Sequence, residues 1–183
     1  MDKILFVNAC VRPNSRTLEL AEILLQNLNG DIEEARLYEL PLKTLDLDGM
    51  EKRHRAAQEN DFSDAIFDVA KQFSAADVIV IAAPYWDLMF PAKVRAYLEA
   101  ATVAGITFQY SPEGIPQGLC KATRLIYVTT AGGPIFQNFG FDYVKALAGN
   151  FYGIPSIRLV KAEGLDIWGA DPVAILDAAK QEL

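Results

Sequence analysis

With 183 residues, the chain is long enough for one domain with a full hydrophobic core and too short for two ordinary ones, so a single domain over residues 1–183 is expected. Apolar residues make up 51% and aromatic residues 10%, without low-complexity tracts, which excludes a largely disordered chain; a net charge of −7, with 17 scattered Lys and Arg, argues against nucleic acid as a partner. Met1-Asp2-Lys3 leads straight into a strand-like run rather than a secretory leader, and no window approaches ~18 uncharged apolar residues, so a cytoplasmic protein with no membrane partner is expected.

Five β-type runs follow in order: residues 3–8, 32–37, 77–83, 123–129 and 156–162. Three are nearly continuous apolar stretches, as strands buried on both faces require. Between them the pattern turns helical. Leu18, Ala21, Leu25 and Leu28 recur at helical spacing, with Asn14 or Ser15 as a cap and Gly30 as a stop. The segment 43–60, with Arg53, His54 and Arg55, has weak periodicity and is expected as a long surface excursion without chemistry, His54 being solvated. Ile66, Ala70 and Phe73 mark a second helix; Pro91, Val94, Leu98 and Ala101 mark a third, ended by Gly105; Asp171-Pro172 opens the last. Strand and helix alternate throughout, which predicts an α/β, doubly wound parallel sheet with helices on both faces. Cys10 and Cys120 cannot build a disulfide framework, and a lone histidine without Cys or carboxylate clusters leaves no metal site expected.

In sheets of this class, ligands bind beyond the carboxyl ends of the strands, where the strand order reverses. The loop after the first strand reads C-V-R-P-N-S-R-T, Cys10 to Thr17. It meets a helix N-terminus, whose unpaired N–H groups and positive dipole end favour a phosphate; Ser15 and Thr17 add hydroxyls, and Arg12 and Arg16 offset charge. An ordinary polar loop with a capped helix is the plain alternative. A rival reading takes the C-x5-R spacing of Cys10 and Arg16 as that of low-molecular-weight cysteine-dependent phosphatases. Pro13 lacks an N–H for such a cradle, and no glycine is present to curl it. After the third strand, Pro84, Tyr85, Trp86 and Leu88 bring flat apolar surface, a rigid turn and exposed backbone groups, as a broad aromatic ring would need; core packing is the alternative. After the fourth, Thr130, Ala131, Gly132 and Gly133 supply a hydroxyl and room for close backbone approach, with a simple turn as the alternative.

In four blocks, N-S-R-T, A-P-Y-W-D-L with P-A-K-V-R-A-Y-L behind it, A-G-I-T-F-Q-Y and T-T-A-G-G, the chain resembles the FMN-dependent NADH-azoreductases and the related flavodoxin-like NAD(P)H:quinone oxidoreductases. Gly153 to Gly164 extends the likeness, leaving only 43–60 and the tail unmatched. The resemblance implies a flavodoxin-like fold with strand order 2-1-3-4-5 and non-covalent FMN reduced by NADH or NADPH. It also implies ping-pong two-electron transfer to a quinone, azo compound or other flat small-molecule acceptor. It implies that Ser15, Arg16 and Thr17 grip the FMN phosphate and that Cys10 stands at a small polar position. Tyr85 to Leu88 would lie along the ring and Thr130 to Gly133 along its opposite rim. Tyr110 would help form the substrate cavity, and Phe151 would reach the partner's site in a homodimer with shared active sites. Asp87 departs from the family, which tends to have Asn or an aromatic residue there; it is expected either beside the ring or as a cap on the Pro91 helix. A flavodoxin-like electron carrier and an FMN reductase are the alternative functions, and the element from Ala100 to Tyr110 is more than a carrier needs.

Overall fold

The computed structural model describes residues 1–183. Strands β1 (Asp2–Asn8), β2 (Gly30–Arg36), β3 (Val78–Ala82), β6 (Arg124–Thr130) and β7 (Ser156–Ala162) form one parallel sheet in the order β2-β1-β3-β6-β7. Counted among the parallel strands alone, that is 2-1-3-4-5, as expected. The three central strands are the apolar runs. Their side chains alternate between two cores, with Ile4, Phe6, Val78, Val80, Ile126 and Val128 on one face and Leu5, Val7, Ile79, Ile81, Leu125 and Tyr127 on the other.

The first face is covered by α1 (Arg16–Gln26), through Leu20, Leu24 and Leu25, and by α6 (Pro172–Gln181), through Leu176. The second is covered by α3 (Asp68–Ala75), α4 (Ala92–Ala101) and α5 (Phe139–Leu147), which bury Phe73, Tyr97, Leu98 and Val144. A π-helical turn, Ala148–Tyr152, prolongs α5 and sinks Tyr152 into that core, tilted against Phe73 at 4.8 Å between ring centroids. No helix is long and apolar enough to cross a membrane.

Three expectations change, and one element appears that none foresaw. Residues 43–60 hold a helix, α2 (Leu47–Glu59), started by the Asp46 carboxylate on the Gly49 N–H (2.9 Å) and ended by Asn60 in the left-handed conformation. Only Ala56 of it is buried, so its sequence carries no apolar stripe although the element forms. His54 is exposed, as expected. Helix α1 ends at Asn27, and Gly30 begins β2 instead of stopping the helix. Helix α4 ends at Ala101, before Gly105, because the buried Thr107 hydroxyl donates to the Ala101 carbonyl and accepts from the Val103 N–H, turning the chain. Beyond that turn lies a short antiparallel hairpin, β4 (Phe108–Tyr110) and β5 (Pro116–Gly118), which no sequence pattern announced. Gly118 passes so close to the Tyr152 backbone that any side chain there would collide with it.

Candidate functional site

A cleft of about 330 Å³ opens at the carboxyl ends of β1, β3 and β6, on either side of which the chain first runs outward and then returns across the sheet. Its floor is built from the β1–α1 loop. Ser15 caps α1, its Oγ accepting from the Leu18 N–H at 3.3 Å. The N–H groups of Arg16 and Thr17 have no partner within the chain, so the helix start presents two free donors and its positive dipole end to the cleft. Thr17 is buried, and its hydroxyl meets that of Thr130 at 2.6 Å. One of those two protons serves the pair and the other is left for a ligand. Arg12 and Asn14 also line the cleft.

Opposite lies the β3–α4 loop. Tyr85 is pinned at both ends, its N–H to the Thr130 carbonyl (3.1 Å) and its hydroxyl to the Gln137 carbonyl (2.7 Å). Trp86 and Met89 exchange both backbone hydrogen bonds, at 2.9 and 2.8 Å, closing a two-residue turn. Asp87 and Leu88 at its tip have φ of 51° and 67°, the pattern of a type I′ turn, which a leucine adopts only against its own Cβ. Trp86 and Leu88 remain 41% and 49% exposed. Asp87 does not cap α4, which starts at Pro91 without a side-chain cap; its side chain stands in solvent at the turn.

The third wall joins the β6 loop to the β7–α6 loop. Gly132 lies under Asp166, whose carboxylate fills the space a Cβ would need, and the Asp166 N–H donates to the Gly132 carbonyl at 2.8 Å. Arg16 crosses to the same loop, donating to the Leu165 carbonyl (3.2 Å) and the Asp166 carboxylate (2.7 Å). The glycine thus makes room for an aspartate of this chain, while Gly133 faces open space.

Ten of the sequence-derived residues meet around the cleft: Arg12, Ser15, Arg16, Thr17, Pro84, Tyr85, Trp86, Thr130, Ala131 and Gly132. Cys10, Asp87, Leu88 and Gly133 flank it without lining it. Val11, Asn14, Leu165 and Asp166 line it and were missed; the last two arrive from 150 residues away, and a lone G-L-D carries no signal of its own. Tyr110 and Phe151 are brought together elsewhere, both packed edge-on against Phe108 at 5.3 and 5.0 Å, and neither lines the cleft. The aromatic stretch behind them divides: Tyr152 is core and Phe136 is 88% exposed.

Cys10 has the environment of a structural thiol. Burial pushes it up to about 11, and its Sγ faces the Ala82 carbonyl rather than cationic groups. A nucleophilic cysteine needs the opposite shift. The phosphatase reading therefore fails on its first requirement. No cluster of three or more His, Cys, Asp or Glu could hold a metal ion.

Residues 2–183 match the model of a family described as having the flavodoxin-like fold. An FMN-dependent NADH:quinone oxidoreductase 2 of Clostridium acetobutylicum is 32% identical over 189 residues, covering 96% of this chain and 93% of the relative. Among solved structures, an azoreductase from Bacillus anthracis str. Sterne superposes with a TM-score of 0.86 at 27% identity, over 100% of this chain and 96% of the other. An FMN-dependent NADH-azoreductase from Bacillus anthracis str. Ames Ancestor, solved in complex with FMN, shares the fold at a TM-score of 0.80 and 22% identity, over 100% and 95%.

Proposed function

The chain belongs to the flavodoxin-like fold family, and on that premise we propose that it is an FMN-dependent NADH:acceptor oxidoreductase that reduces quinones, azo compounds or similar flat molecules. The observation that carries this is the cleft itself, with unpaired helix N–H groups at one end and a pinned tyrosine and half-exposed tryptophan at the other. An anionic tail and a planar ring are the two halves of FMN, and this donor set fits both.

In this reading the Arg16 and Thr17 N–H groups, the spare Thr17 or Thr130 hydroxyl proton and Arg12 hold the phosphate. Ser15 shapes that end by fixing the first turn of α1. Pro84 to Leu88 lie along the ring; the tight turn at Asp87 and Leu88 sets the direction of the backbone there, and the two exposed apolar side chains exclude water. The segment from Thr130 to Gly133 would run from the phosphate end toward the opposite rim of the ring. When bound, FMN would supply the redox chemistry, a two-electron relay between NADH and the acceptor in two half-reactions. No protein side chain has to act as a strong acid or base. NADPH is a second donor to be tested, and the cytoplasm, where reduced nicotinamide is available, is the proposed setting.

A homodimer extends the proposal. Tyr110 stands 58% exposed on the hairpin, and Phe136 and Trp168 are 88% and 98% exposed near the carboxyl ends of the strands. Such side chains suit a second copy that lays Tyr110 and Phe151 over the partner's cleft. Initial rates of NADH oxidation by the FMN-loaded protein, with a naphthoquinone and an azo dye as acceptors, test the reading. Parallel double-reciprocal lines are expected. Absence of turnover with both acceptors, or intersecting lines, contradicts it.

A further inference from the structure

The Arg16–Asp166 pair is not used by the reading above. Its two members line the tail end of the cleft, are joined at 2.7 Å and are held very differently. Asp166 is fixed: its N–H is bonded to the Gly132 carbonyl, and its carboxylate sits over the bare Gly132 Cα. Arg16 sits on a long side chain, and apart from Asp166 its guanidinium touches only the Leu165 carbonyl, at 3.2 Å. The side chains are 35% and 64% exposed, so dissolved anions can reach the pair.

We propose that Asp166 is a specificity-determining residue of the cofactor site, a resident anion on Arg16 that an incoming phosphate monoester must displace. This rests on the FMN reading of the cleft and adds to it. A dianion at the start of α1 meets the free N–H groups of Arg16 and Thr17 and outbids a single carboxylate for the guanidinium. Arg16 can turn to it; the Asp166 backbone, tied to Gly132, keeps its carboxylate close to the same helix start. The carboxylate is then left unpaired beside two negative charges and loosens the grip on the phosphate. The penalty is specific to a phosphorylated flavin. Riboflavin, which has no phosphate, does not disturb the pair.

The test is the dissociation constant of FMN and of riboflavin, from quenching of flavin fluorescence, for the apoprotein, Asp166→Asn, Arg16→Gln and the double variant. Asp177→Asn serves as a charge control, because Asp177 lies on α6 and pairs with Lys180. Asp166→Asn is expected to bind FMN roughly threefold to tenfold more tightly, the range an exposed charge near a phosphate exerts. Riboflavin affinity and the Asp177→Asn control should stay unchanged. Arg16→Gln is expected to weaken FMN by a similar factor, with the double variant returning near the parent. FMN binding that is unchanged or weaker in Asp166→Asn overturns the proposal and makes the pair a structural brace. A parent protein that binds riboflavin but not FMN, or neither, overturns the FMN reading itself, and the proposal falls with it.

Discussion

The two ends of the cleft are built on opposite terms. At the tail end, α1 is capped by Ser15, the Thr17 hydroxyl is paired with Thr130, and Arg16 is tied to the β7 loop. The cap and the hydroxyl pair serve local stability and a bound anion alike; only the Arg16–Asp166 pair is one that a phosphate has to displace. At the ring end, two non-glycine residues sit at positive φ, and Trp86 and Leu88 show apolar surface to solvent. Folding alone rewards neither feature. Strain and exposure that persist where the rest of the chain is well packed are what a binding surface leaves behind.

That contrast can be broken by mutation. The largest effect is expected at the tail end: Thr17→Val leaves the buried Thr130 hydroxyl without its partner and should cost about 2 kcal/mol in urea unfolding. Ser15→Ala should follow with a loss of about 1 kcal/mol, and Ser15→Gly with only a few tenths, since either removes the α1 cap. At the ring end the sign reverses. Leu88→Gly should raise stability by about 0.5 kcal/mol, the relief of left-handed strain less the added chain entropy, while quinone reduction falls. If Leu88→Gly destabilises, the turn is not strained and the contrast fails.

The smallest effect near neutral pH concerns the thiols. Burial raises Cys10 from 9.0 to about 11 and Cys120 from 9.0 to about 12. Protons are held more tightly in the folded state, so this stabilisation is complete below pH 9 and is lost as the pH climbs from 9 through 11 to 12. Thermal melts should therefore be flat in this respect up to pH 9 and decline above it. Cys120→Ala should flatten the decline; a slope already present between pH 7 and 9 that vanishes in this variant would contradict the assignment.

Sequence patterns were most legible where burial was most complete. Val78–Ala82 is buried along its whole length, and so its apolar run could only be a central strand. The three loops that line the cleft were legible because each follows such a strand. Helix α2 was not, since one buried alanine leaves no periodicity, and three-residue strands such as β4 and β5 are too short to show alternation. Asp166 was hidden for a different reason: its role exists only through Arg16 and Gly132, which the fold, not the local sequence, brings to it. Gly132 is expected from its sequence to allow close approach to a ligand edge, and in the structure the group that lies against it is the Asp166 carboxylate.

The central claim, that this cleft holds one planar phosphorylated flavin per chain, is tested most directly by incubating the protein with FMN, removing free flavin by gel filtration and recording the visible spectrum before and after NADH. One equivalent of flavin absorbance retained per chain and bleached by NADH is the predicted result. A protein that emerges colourless, or whose bound flavin is indifferent to NADH, would contradict the account.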